Sequence, residues 1–305
     1  MFMSPVQLDI FNDSRDVMLR NDVLQALLKQ QPALAQSAWR TLHSEYPDDA
    51  HLAPLQVLID ALAAFKYRAD QPVEPLTQHA ALQRLQQTLQ AQLTPAAQQQ
   101  LGPDAARLWL RPFWQELIAR AAALPFVPQW EAQHTAPMLL HLHDWAGAMD
   151  AVARIASWRR IPAPLGWMAQ VKLHAVGLAG SWPLLAELAW LSPKRLEVII
   201  QTAQDAPLQR LKDQFDVSFE PDAGLVDASQ DLAWFPAWVL TQRPQDVLHL
   251  SQAQPGQHSA PEQAFRLLVN LLGLERQGRH HDIVAYRKQL RDLNSWLYGV
   301  YMRTR

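Results

Sequence analysis

The chain has no cysteine, only 10 glycines, and no apolar run long enough to cross a membrane. Without cysteine there is no disulfide, no thiolate metal site and no cysteine nucleophile. Scarce glycine leaves little material for phosphate-cradling loops, and neither G-x-G-x-x-G nor G-K-[ST] occurs. H-E-x-x-H and G-x-S-x-G are missing too, which argues against the common zinc protease and α/β-hydrolase sites. Alternating β-branched runs are almost absent, so there is little to build strands from. Early positive charge followed by an apolar run, the mark of a signal peptide, is also lacking. Asp9 and Asp13 precede the first base, Arg15, and a cytoplasmic location is expected.

What is present is 305 residues, 49% of them hydrophobic, with 22 prolines and 12 tryptophans. That length suits one large domain or two ordinary ones and can bury a sizeable core. The formal net charge is only -2. Residues 1–150 carry a net of -5 and residues 151–305 a net of +3, with +5 concentrated in residues 264–305. The whole chain is not basic enough for a nucleic-acid binder on bulk charge. The basic end could attract an anionic partner or be an ordinary solvated helix face.

Ala, Leu, Gln and Arg dominate, and all are good helix formers. The first helix is expected over Asp16 to Gln30, capped by Asp13 or Ser14, with Val17, Leu24, Leu27 and Leu28 inward. A second runs from about Ala33 to Glu45, with Leu34, Ala38 and Leu42 inward, and a third from about Ala50 to Phe65. Residues 69–77 read as a proline-containing linker before a Gln-rich helix, His79 to Leu93. Gly102-Pro103-Asp104 stops one helix and starts another, which Pro112 should kink or break. Residues 206–231 read as an acidic, irregular insertion, with a short strand pair near Val217–Phe219 and Leu225–Val226.

Internal repetition is visible at a period of 36–37 residues. Trp145 and Trp182 each open an Ala/Leu-rich helix, and Arg243–Leu248 matches Arg279–Val284. The closest local match is Phe265 to Leu290, where Ala264, just ahead of it, lines one helix with Leu268 and Leu272. Gly278-Arg279-His280 makes the turn, and Ile283, Ala285 and Leu290 follow. This pattern resembles the tetratricopeptide repeat class, without that family's Trp-Leu-Gly-Tyr signature. The resemblance implies stacked helical hairpins that bury a shared core and offer a concave binding surface. Arg266 and Asn270, four apart on one helix face, resemble one part of the carboxylate-holding groove of such domains. Arg287, Lys288 and Arg291 cluster on the next helix.

Trp234-Phe235-Pro236-Ala237-Trp238 is the best candidate for exposed aromatics, because Pro236 limits how deeply it packs as regular helix. His134, His141 and His143 lie near Asp144. On a helix, His141 and His143 would point apart, so they converge on a metal only from a turn or strand. His143-Asp144 and His281-Asp282 also resemble the dipeptide of His-Asp phosphohydrolases; both aspartates equally suit helix starts.

The expectation is an all-α, irregular helical-hairpin array. It comprises an N-terminal lobe at 1–124, a linker at 125–136 and a repeat-like lobe at 137–305. The expected function is a non-enzymatic scaffold binding a protein or peptide partner, with an acidic or C-terminal segment of the partner as one candidate for what is held. Arg266, Asn270, Arg287, Arg291, Trp234 and Trp238 would carry it, with no cofactor, nucleic acid or membrane involved. The alternatives are a metal-dependent hydrolase using His141, His143 and Asp144, and a structural subunit of an oligomer.

Overall fold

The computed structural model describes residues 6–69, 71–72, 74–219, 231–278 and 280–305. These residues form α-helices joined by short 3-10 turns, with no strand among them. None of the described helices is long and apolar enough to cross a membrane. The chain divides into two compact units, Met1–Met138 and Leu139–Arg305.

In the first unit, α1 (Val6–Leu28) packs along α2 (Pro32–Glu45), and α2 along α3 (Leu52–Ala69). Helix α1 starts well before the expected cap. Its buried face is Val23, Ala26 and Leu27, while Val17 and Leu28 are exposed. Helix α2 likewise turns Ala35 and Leu42 inward and leaves Leu34 in solvent. Two indole N–H groups tie the elements: Trp39 Nε1 donates to the Leu52 carbonyl at 2.9 Å and Trp109 Nε1 to the Leu27 carbonyl at 3.0 Å.

The Gln-rich segment is helical as α4 (His79–Thr88). It widens into a π-helical turn over Leu89–Leu93 and continues as α5 (Thr94–Leu101). Gly102, at φ 78°, then turns the chain into α6 (Pro103–Ala121). Helix α6 runs through Pro112 without interruption. The carbonyl that loses its helical donor there belongs to Leu108, on an exposed part of the helix, where water can serve it. A 3-10 segment, Pro128–Gln133, leads to α7 (Thr135–His141), in which the boundary between the units falls.

The second unit begins with α8 (Trp145–Ala153) and α9 (Pro162–Leu191), the latter broken at Gly177 (φ 70°, ψ -175°). Trp182 therefore lies inside α9, five residues past the break, and does not open a helix. Then come α10 (Pro193–Thr202) and α11 (Ala206–Ser218). Helix α11 takes up residues 206–218 of the stretch 206–231 expected to be irregular, including the start of the strand expected at 217–219; residues 220–230 lie outside the described residues. Its Leu208, Leu211 and Phe215 are buried at helical spacing, and Asp205 Oδ1 accepts from the Leu208 N–H at 2.8 Å as its cap. The expected second strand, 225–226, lies outside the described residues. Helices α12 (Phe235–Gln242), α13 (Val247–Leu250), α14 (Ala260–Gln277), α15 (His280–Leu293) and α16 (Ser295–Arg303) complete the unit.

Its core is aromatic. Phe215 meets Phe219, Phe235, Trp238 and Trp296 at ring distances of 4.9, 5.5, 5.6 and 6.3 Å. Trp234 and Trp238 are thus core residues, 8% and 2% exposed, and not the outward aromatics expected. Pro236 is the reason: it sits at the start of α12, where no helical N–H is needed, so it does not hinder packing.

Candidate functional site

The most evident site lies within the second unit, where α14, α15 and the loop over residues 251–259 enclose a groove of about 680 Å3. Helix α14 starts after this loop and ends at Gly278, whose left-handed φ of 68° allows the tight return into α15. That return brings Arg266, Leu267 and Asn270 of α14 opposite Gln289, Asp292 and Leu293 of α15, with Pro255 and His258 at the loop edge.

Two buried glutamates hold the loop wall. Glu262, 2% exposed, accepts the Gly256 N–H on Oε1 and the His258 N–H on Oε2, each at 2.8 Å. Glu187, 7% exposed, accepts the Gln254 N–H on Oε1 at 2.6 Å and takes both arms of Arg159 at 2.5 and 2.6 Å. Arg160 donates to the Pro255 carbonyl. Charged acceptors on backbone N–H groups are among the stronger hydrogen bonds, so a segment with little apolar anchorage is still fixed.

Of the six partner-binding candidates, the structure brings two to this groove. Asn270 is exposed there and makes no side-chain hydrogen bond to a described residue. Arg266 lies across Trp190 and Phe265, 5.3 Å from each ring centre, with Nη2 3.6 Å from Glu262 Oε1. Its charge is thus paired with Glu262 and lies over two aromatic faces, while Nη2 is buried without a hydrogen-bond partner. Arg287 points elsewhere: Nε donates to Tyr301 Oη at 3.1 Å, and Nη2 approaches Glu275 at 3.4 Å. Tyr301 Oη donates to Glu275 Oε1, and Arg305 approaches Oε2 at 3.3 Å. The Tyr301 contact and the Glu275 charge hold Arg287 above its ordinary pKa. Burial, then the bond to Glu275, push the Tyr301 phenol up as well. Arg291 is exposed beside Asp292 at 3.5 Å and does not line the groove. Trp234 and Trp238 are in the core.

The groove is consequently a surface of carboxamides and apolar patches more than a basic one. Gln263, Asn270 and Gln289 offer donors and acceptors in both directions, while Leu267, Leu293 and Pro255 are apolar.

The histidine reading takes a different form. Asp144 Oδ1 caps α8 by accepting the Gly147 N–H at 2.9 Å, and His143 sits at the turn with φ 58°. Its ring stacks on Trp145 (5.5 Å, 7°), which stacks in turn on His174 (4.2 Å, 22°). No group of three or more His, Asp or Glu side chains among the described residues is arranged to hold a metal ion, so His141, His143 and Asp144 do not form one.

Sequence reasoning missed Glu187, Arg159 and Glu262. A signal for Glu262 existed: Ser259-Ala260-Pro261-Glu262 has the spacing of a capping box. In the fold that carboxylate reaches back to the loop instead, and Ser259 makes no cap bond. The Arg159–Glu187 pair spans 28 residues and has no local signature. Comparison with protein-family models, with curated proteins and with solved structures returned no match.

Proposed function

We propose that this protein is a non-enzymatic helical scaffold that holds a peptide segment of a protein partner in the groove between α14 and α15. The hairpins of the second unit then act as a tetratricopeptide-like array, with the groove as its binding surface. The observation that carries this reading is the row of carboxamides, Gln263, Asn270 and Gln289, beside Leu267 and Leu293. Such a lining pairs with a peptide backbone while apolar side chains are buried between the helices. Because Arg266 is balanced by Glu262 and Arg291 lies beside Asp292, a short peptide of modest charge fits better than a strongly acidic tail.

The test is affinity capture from source lysate with wild type and with a Leu267→Glu/Asn270→Arg double variant, followed by peptide mapping of what is retained. The expected result is a partner segment held by wild type and weakened at least about tenfold by the double variant. A partner retained equally by both would remove the groove, and no retained protein would remove the scaffold reading.

A further inference from the structure

A second feature belongs to the first unit and shares no residue with the groove. The continuous helical segment 79–101 must accommodate Pro95, which lacks an N–H and crowds the preceding turn. It does so by widening. The Thr94 N–H bonds five residues back to the Leu89 carbonyl, and Thr94 Oγ1 donates to the same oxygen at 2.9 Å. Single π turns of this kind recur at functional sites. Here the turn presents Leu89 and Leu93 to a cavity of about 240 Å3, also lined by Leu85, Phe113 and Leu117.

Among the described residues, the ionisable side chains in this lining are Arg68, Glu116 and Arg120. Arg68 forks onto Glu116, Nε to Oε1 at 2.8 Å and Nη2 to Oε2 at 3.1 Å. Arg120 Nη2 shares Oε1 at 3.1 Å. Two guanidiniums thus rest on one carboxylate, and the described lining carries a net charge of one positive. Arg120 Nε is buried and finds no hydrogen-bond partner. The same three residues also line a second cavity of about 810 Å3 beside the loop of Pro72, Pro75 and Leu76, with exposed Glu74 at its edge.

We propose that this is a binding site for a small anionic amphiphile, a straight-chain carboxylate of short to medium length. Its carboxylate sits on Arg120 and Arg68, and its tail lies among Leu85, Leu89, Leu93 and Leu117. An inorganic anion would answer the excess guanidinium but leave the apolar cavity unfilled. A neutral apolar ligand would fill the cavity but leave the guanidinium unanswered. At 240 Å3 the cavity falls below the roughly 300–1,000 Å3 of drug-sized pockets, which suits a tail and not a whole cofactor.

The experiment is calorimetric titration of the full chain with hexanoate, octanoate and decanoate below micelle formation. Decanol, decyltrimethylammonium and inorganic phosphate are the comparison ligands. Saturable binding at one site per chain is expected, tightening about fourfold per added methylene until the cavity is full. Decanol, the cation and phosphate should each bind at least about tenfold more weakly. Arg120→Gln should weaken octanoate by a similar factor, and Arg120→Lys should restore part of it. Ala61→Leu, on the cavity wall, leaves the charges alone and should shorten the chain length at which affinity stops rising. If Arg120→Gln does not fold by circular dichroism, Ala61→Leu decides. Absence of saturable carboxylate binding, phosphate as tight as octanoate, no chain-length dependence, or equal binding of cation and carboxylate would each overturn the proposal.

Discussion

The two units spend their polar groups in opposite ways. In Met1–Met138 charged side chains clasp one helix to another near the surface, as Arg15 does with Glu45 and Arg68 with Glu116, while Asp49, its side chain buried under Arg20 in the turn before α3, is an exception. Beneath them Leu and Ala fill the core, and the buried Trp109 indole has a carbonyl partner. In Leu139–Arg305 the carboxylates go inside, and Glu187 and Glu262 give their oxygens to the backbone of one loop. The core there is aromatic, and the indole nitrogens of Trp182, Trp190 and Trp238 are buried without a partner. The contrast separates two uses of charge: fastening elements that already pack, and shaping a segment that packing alone would not fix.

The largest expected effect comes from moving a carboxylate from the second use to none. Glu187→Ala strips both arms of Arg159 and the Gln254 N–H of their acceptor. Breaking a buried pair costs about 3 kcal/mol, at the low end of the usual range because Arg159 keeps some contact with water. Glu45→Ala, which removes a surface clasp, should leave the denaturant midpoint nearly unchanged. Equal shifts for the two variants in urea unfolding would erase the distinction.

A smaller effect tests the indoles. Trp109→Phe loses a hydrogen bond to a buried carbonyl and should cost about 1 kcal/mol beyond the change in ring size. Trp182→Phe removes a donor that has no partner, so relief of that burden should offset the lost ring volume, leaving a net change near zero. Thermal unfolding of the two variants side by side measures the difference. A larger loss for Trp182→Phe would mean that its nitrogen is satisfied in solution.

Much of the helical frame was readable because apolar period and punctuation agree: Pro32, Gly102-Pro103 and Gly278 all fall at helix boundaries. The errors share one physical source, which is judging proline and aspartate by type and not by position. By residue type Pro236 and Pro112 are obstacles, yet one occupies a first helical turn and the other leaves its orphan carbonyl on an exposed turn. The acidic residues spaced from Asp216 onward make residues 206–231 read as irregular, although Leu208, Leu211 and Phe215 carry a helical period through Ser218. For the site, Arg266 and Asn270 could be placed together from their i, i+4 spacing alone. The capture of Arg287 by Tyr301 and Glu275 could not, because those partners lie 14 and 12 residues away on other helices. The loop-holding role of Glu187 depends on a partner 67 residues along the chain, at Gln254.

The smallest effect, and the one that separates the units by pH, rests on Asp49 and Tyr301. Burial works against ionising Asp49, but the His51 N–H and the Arg20 guanidinium outweigh it and hold the carboxyl below its usual range. A depressed carboxyl contributes stability that is present above the unfolded value, about 3.9, and lost as pH falls through the folded one. Tyr301 is displaced the other way, by burial first and then by its bond to Glu275. The native phenol keeps its proton where the unfolded chain begins to lose it, near about pH 10, so its contribution is present below that and declines as pH rises further. Acid should therefore loosen the first unit through α1 and α3, and alkali the second through α14 and α16. Hydrogen exchange followed by mass spectrometry on both sides of neutrality reads each unit by its own peptides. Asp49→Asn should flatten the acid dependence of peptides from the first unit alone, and Tyr301→Phe the alkaline dependence of peptides from the second. If either variant flattened both limbs, the two units would be unfolding as one cooperative body, and the contrast in how they use charge would have no thermodynamic consequence.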